Sequence, residues 1–255
     1  MYKVAFFDID GTLMEFKTHR VPESTWRAIE AMRAQDIKVV ISTGRMPPEI
    51  PEEVREGFDS YVTFNGQLCY DAQGVFREVS IDEADVRAIV EGCRAGLYEI
   101  TIMQRDRAFV SKVTPRVLEV SEKIGLLYVE DDLEKAFAAP VYQLNVFCDE
   151  EDDHLFLEKT SNVDATRWTE LFADVVPHGG GKHLGVRAAL ERFGVKPEEA
   201  IAFGDGENDL SMFAEVGTSV AMGNAQESVK AQATYITTDV DDDGVWNACR
   251  HFGLV

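Results

Sequence analysis

Two short acidic segments near opposite ends of the chain carry the residue types best suited to chemistry. Near the start, the apolar run 2–7 is followed by Asp8, Asp10, Gly11 and Thr12; far downstream, the run 200–203 is followed by Gly204, Asp205, Asn208 and Asp209. Runs this short, rich in aromatic or branched residues, read as buried strands of a parallel sheet. The acids then fall at the strands' carboxyl ends, where open α/β sheets bind ligands. Two such ends brought together make a concentrated negative site that a divalent cation neutralises, and hard carboxylate oxygens suit Mg²⁺. Of Asp8 and Asp10, one can attack phosphorus as a nucleophile. The other can protonate the leaving oxygen and then deprotonate the hydrolytic water.

Taken singly, each motif also has a plain structural reading. The first could be an acidic turn capped by Thr12, and Asp205 could be a helix cap with Asp209 in the first turn. Taken together they supply one metal site, because Asp205 and Asp209, a helical turn apart, face one cation. Thr43 and Gly44 follow the run 37–41 and offer a hydroxyl and backbone N–H groups to a phosphate, although an ordinary loop reads almost as well. Lys182, after the glycines 179–181, is the positive charge the site otherwise lacks, against the common alternative of a solvent-facing lysine. The run 239–243 lacks the glycine and distal glutamate of an EF-hand and reads as a solvated turn.

The elements that must position these residues alternate. A helix over 22–34, the strand 37–41, a short helix over 50–58 and a strand 61–64 precede a hairpin turning at 71–74. After about residue 80 the character changes: a helix over 83–95, strands near 100–103 and 108–111, a helix over 115–124, an alternating strand 141–147, and strands near 164–168 and 171–176. The acidic run 149–153 reads as a solvated helix start. From residue 179 the βα rhythm resumes, with helices over 182–193 and 207–216, strands 200–203 and 218–221, a helix from about 225, a strand 235–237 and a terminal helix after 244. The fold class is α/β: a doubly wound parallel, Rossmann-like core sheet with an inserted α+β domain. The expected boundaries are 1–81 and 178–255 for the core and 82–177 for the insertion.

Composition narrows the partners. A balance of 46 acidic against 25 basic residues gives a formal charge of -21, which repels nucleic acid and anionic membranes. No stretch approaches the roughly 18 apolar residues of a membrane span, and no signal-like region precedes the first strand. Cys69, Cys93, Cys148 and Cys249 form no C-x-x-C pair and read as free buried thiols, so a cytoplasmic location is expected. No heptad or exposed apolar stripe marks an oligomer; the state stays open, with a monomer favoured.

Four motifs, F-F-D-I-D-G-T-L (6–13), I-S-T-G-R (41–45), G-G-G-K (179–182) and F-G-D-G-E-N-D-L-S-M (203–212), resemble the haloacid dehalogenase-like hydrolase superfamily, which is dominated by phosphatases. V-A-M-G-N-A (220–225) and D-G-V (243–245) resemble its Cof-type branch, which carries a large α/β (type IIB) cap. The resemblance implies Asp8 as nucleophile, Asp10 as acid/base, and Thr43 and Lys182 as phosphate-binding residues. It implies Mg²⁺ held by Asp8, the backbone carbonyl of Asp10, and Asp205, with Asp209 near or behind. Asn208 would bind phosphate or position Lys182, and Arg45 and Asn65–Gly66 would line the pocket beneath the cap. Gln67 departs from the small residue many relatives have there. The expected function is Mg²⁺-dependent hydrolysis of a small phosphorylated metabolite, such as a sugar phosphate, through an aspartyl-phosphate. A phosphomutase and a non-catalytic phosphometabolite-binding protein are the alternatives.

Overall fold

The computed structural model describes residues 1–124 and 127–255. The chain divides into two units, one formed by Met1–Arg45, Ile50–Glu78 and Gly181–Val255, the other by Met46–Glu49 and Val79–Gly180.

The first unit is built on an eight-stranded sheet. Its strands are β1 (Val4–Phe7), β2 (Lys38–Ser42), β3 (Ser60–Thr63), β4 (Leu68–Asp71) and β5 (Gly74–Glu78), followed after the second unit by three more. These are β11 (Ala200–Gly204), β12 (Thr218–Ala221) and β13 (Tyr235–Ile236). The spatial order is β13-β12-β11-β1-β2-β3-β4-β5. The six strands from β13 to β3 run parallel, and the β4–β5 hairpin closes the edge antiparallel.

Alternation along the strands sorts the two faces. Ala5, Phe7, Val39, Ile41, Ile201 and Phe203 pack into a core shared with Ala28, Ile29 and Met32 of helix α1 (Glu23–Ala34). Val4, Phe6, Val40, Ala200 and Ala202 point the other way, towards Val186 and Ala189. Phe7 and Phe203 stack with ring centroids 4.7 Å apart, which fixes β1 against β11.

The second unit is an antiparallel sheet of order β7-β6-β8-β10-β9, formed by β6 (Glu99–Gln104), β7 (Arg107–Val110), β8 (Val141–Phe147), β9 (Val163–Thr169) and β10 (Phe172–Pro177). Its helices are α2 (Glu83–Arg94), α3 (Pro115–Ile124) and α4 (His154–Leu157). Ile100, Ile102, Leu144, Val146, Ala173 and Val175 share a core with Val86, Ile89 and Val90 of α2. On β8 and β10, Gln143 and Asn145 donate to Asp174 Oδ1 at 2.9 and 2.5 Å.

Three expected elements differ. The helix over 50–58 is replaced by single 3₁₀ turns at Pro47–Glu49 and Glu52–Val54. Pro51 disfavours helical geometry at Ile50, and Gly57 adopts φ +94°. The helix over 207–216 shortens to a 3₁₀ turn Glu207–Asp209 and α6 (Leu210–Phe213), after α5 (Lys182–Phe193); the helix expected from about 225 starts at 227 as the short α7 (Glu227–Lys230), before α8 (Gly244–His251). The run 149–153 is not merely solvated. Asp149 pairs with Arg116, and Asp153, with 18% of its side chain exposed, pairs with Arg167.

Candidate active site

Four of the candidate segments of the first unit emerge from the carboxyl ends of four adjacent parallel strands, while Lys182 opens helix α5. Asp8 follows β1, Thr43 follows β2, Asn65 follows β3 after one residue, and Asp205 follows β11. Because β1 lies between β2 and β11, the order in which strands are added reverses across it while all of them stay parallel, and such a switch point opens a crevice at the strand ends. The ladder carries on one residue past the strand: the Asp8 N–H donates to Phe203 O at 3.1 Å. That bond brings the two distant acidic segments side by side.

Lys182 is fully buried, and its ammonium donates to Asp8 Oδ1 at 2.5 Å and to Asp209 Oδ1 at 2.6 Å. The other oxygen of Asp209 accepts the N–H groups of Asp205 and Gly206, both at 3.0 Å. Asp8, Asp205 and Asp209 offer carboxylate oxygens within 4.8 Å of one another, and they are the acidic group among the described residues that could hold a metal ion. Thr12 donates to Asp205 Oδ1 at 3.0 Å. Asn224 donates to the Gly11 carbonyl at 2.8 Å and accepts from the Val240 N–H at 2.9 Å, tying the ends of β12 and β13 to the first acidic loop.

The electrostatics follow from that crowding. Burial pushes Asp8 up to about 7, with Asp209 and Asp10 adding to the rise and Lys182 opposing it. Burial likewise pushes Asp205 up to about 8, reinforced by Asp8 and Asp209, while the Thr12 hydrogen bond opposes. For Lys182, burial works against the charge, yet Asp209 and Asp8 outweigh it and raise the ammonium above its ordinary range. Three carboxylates and one ammonium leave an excess of buried negative charge. A divalent cation with hard oxygen ligands fits this donor set.

Asp10 stands apart from the acidic group. Arg45 holds it in a bidentate pair, Nε to Oδ2 at 2.7 Å and Nη2 to Oδ1 at 2.8 Å. Thr43 is buried, and its Oγ1 accepts the Arg45 N–H at 3.1 Å. Gly44 lies against the Asn65 carboxamide, whose Oδ1 accepts from Asn208 Nδ2 at 3.3 Å. Asn65 has left-handed backbone angles (φ 52°, ψ 38°), a conformation asparagine tolerates better than most residues.

Sequence reasoning had Thr12 only as a cap and gave Asn224 no role. The first sits inside the D-x-D-G-T string, and the second inside G-N-A, so both positions were visible although their bonds were not. Gln67 is fully buried with neither amide atom hydrogen-bonded. The four cysteines are free and buried. Among the described residues, no helix is long and apolar enough to cross a membrane.

This fold and acidic strand-end site define a hydrolase class. The chain belongs to the haloacid dehalogenase-like hydrolase family, whose model matches residues 5–249. It is similar to YkrA of Bacillus subtilis (strain 168), provisionally named a phosphatase, with 33% identity over 99% of this chain and 98% of that protein. It is also similar to the HMP-PP phosphatase of Klebsiella pneumoniae (strain 342), with 26% identity over 98% of this chain and 92% of that one. Among solved structures, it resembles the subclass IIB sugar phosphatase BT4131, with a TM-score of 0.89 and 34% identity, covering 99% of this chain and 100% of that one.

Proposed function

We propose that this protein is a Mg²⁺-dependent phosphatase that hydrolyses a small phosphorylated metabolite through an aspartyl-phosphate. One observation carries the reading: carboxylates of Asp8 and of Asp205 and Asp209, about 200 residues apart in sequence, lie within 4.8 Å of one another around a buried lysine.

Asp8 attacks phosphorus through a carboxylate oxygen, and the bond from phosphorus to the ester oxygen breaks. Asp10 delivers a proton to that departing oxygen. It then takes a proton from water, whose oxygen attacks the phosphorylated Asp8, releasing inorganic phosphate and the free carboxylate. Arg45 holds Asp10 in place between the two transfers. Asp8 and Asp205, with the Asp10 backbone carbonyl, would hold Mg²⁺, which supplies charge neutralisation at phosphorus when bound. Asp209 accepts the Lys182 ammonium on one oxygen and two backbone N–H groups on the other, so its first part is to hold Lys182 beside Asp8. Lys182 fixes the Asp8 carboxylate and offsets charge on the transferring group. Thr43, Gly44, Asn65 and Asn208 supply hydroxyl, N–H and carboxamide donors for phosphate. The 82–177 insertion acts as the cap that selects the leaving group, and the protein acts in the cytoplasm.

Asp8→Asn is expected to lose nearly all turnover of p-nitrophenyl phosphate while keeping its circular dichroism spectrum, and EDTA is expected to silence the wild type until Mg²⁺ is restored. Wild-type rates from the Asn variant would reject Asp8 as nucleophile.

A further inference from the structure

Phe16 is an exposed aromatic side chain, with 58% of its surface open, at the edge of the buried acidic group. A lone exposed phenylalanine means little by itself; its placement carries the argument. The point where a Gly11 Cβ would stand is 2.6 Å from Phe16 Cε2 and 2.2 Å from Asp205 Oδ2, so one ring edge borders the carboxylate while most of the ring stays open. Gly11 adopts φ +80° and has no side chain to separate the two.

The turn that presents the ring is tied down. The Gly11 N–H donates to Met14 O at 2.8 Å, and the Met14 N–H to Ile9 O at 2.9 Å. Beyond it, the Glu15 N–H donates to Arg20 O at 3.1 Å, the His19 N–H to Glu15 O at 3.0 Å, and the Thr18 hydroxyl to Glu15 Oε2 at 2.8 Å. Met14 and Leu13, just before it, are buried in the core. The backbone on either side of Phe16 is thus fixed, and its ring lies beside Asp205 instead of in the core that Leu13 and Met14 enter.

We infer that Phe16 is a specificity-determining residue: its open ring packs against a ring in the leaving group, so phosphomonoesters of ring-bearing alcohols are preferred over small open-chain ones. This rests on the phosphatase reading above. Aromatic rings pair with other rings, and with the C–H face of a sugar, through dispersion and apolar burial.

The test compares Mg²⁺-loaded wild type, Phe16→Ala and Phe16→Trp on p-nitrophenyl phosphate, a monoester with a ring, and glycerol 3-phosphate, a monoester of an open-chain alcohol. In Phe16→Ala the ratio of kcat/KM for the ring substrate to that for glycerol 3-phosphate is expected to fall about three- to tenfold, mainly through KM, and Phe16→Trp to restore it. An equal fall for both substrates, or no change in the ratio, overturns the inference. So does a raised Mg²⁺ requirement in Phe16→Ala, which would make the ring a shield for Asp205. Failure of the wild type on both substrates would instead sink the reaction itself.

Discussion

Lys182 shows what a single residue does in this site. Its side chain is wholly buried, and both its anionic partners, Asp8 and Asp209, are nearly or wholly so. A buried pair brings little net stability against an apolar replacement, but removing one partner strands the other charge. Lys182→Met keeps the length and apolar stem yet leaves two carboxylates facing each other and Asp205. Metal-free, this variant is expected to lose about 3–5 kcal/mol of stability, read by urea unfolding. A midpoint matching wild type would mean that the ammonium is not the partner these acids depend on. Phosphatase rate should fall with it, and added Mg²⁺ should restore part of the stability but little of the rate, since the cation replaces the charge without reproducing the clamp on Asp8.

At the scale of elements, the strands were legible because both faces of the parallel sheet are covered, so β1, β2 and β11 read as unbroken apolar runs. Their adjacency was not legible. Nothing in the pattern of residues 4–7 states that they pair with 200–203, and only the shared likeness of the two acidic ends hinted at it. The Arg45 clamp on Asp10 was hidden for a related reason, because a loop side chain's reach depends on how far its strand is slid against the next. The helix over 50–58 failed because Pro51 keeps Ile50 out of helical geometry, leaving only short 3₁₀ turns on either side. Where β11 ends, Gly204 passes so close to Asp209 that an added Cβ would lie 2.4 Å from Asp209 Cγ. The strand cannot yield, since the Gly204 carbonyl accepts the Met222 N–H at 3.0 Å. Gly204→Ala should therefore displace Asp209, and with it Lys182, costing on the order of a hundredfold in kcat, because small misplacements are amplified in rate. Steady-state turnover within a few-fold of wild type would show that Asp209 can shift without consequence.

The whole molecule carries a formal charge of -21, and its site concentrates carboxylates that burial has pushed far above the ordinary 3.8: Asp8 to about 7 and Asp205 to about 8. The sign follows from proton counting. Without metal, the folded site holds protons that the unfolded chain has already released, so folding stability from these groups is greatest at low pH. It is lost as pH rises through 7 to 8. Mg²⁺ competes for the same oxygens and binds the folded state alone, so its stabilisation must grow over the interval in which the protons leave. The metal-free melting temperature is therefore expected to fall between pH 6 and pH 8.5, whereas the gain on adding millimolar MgCl₂ should be small at the lower pH and several degrees at the higher. General screening of the acidic surface would respond to ionic strength instead, so NaCl at matched ionic strength is the control. Equal gains from the two salts, or a Mg²⁺ gain that shrinks as pH rises, would mean that the carboxylates around Lys182 do not bind the cation.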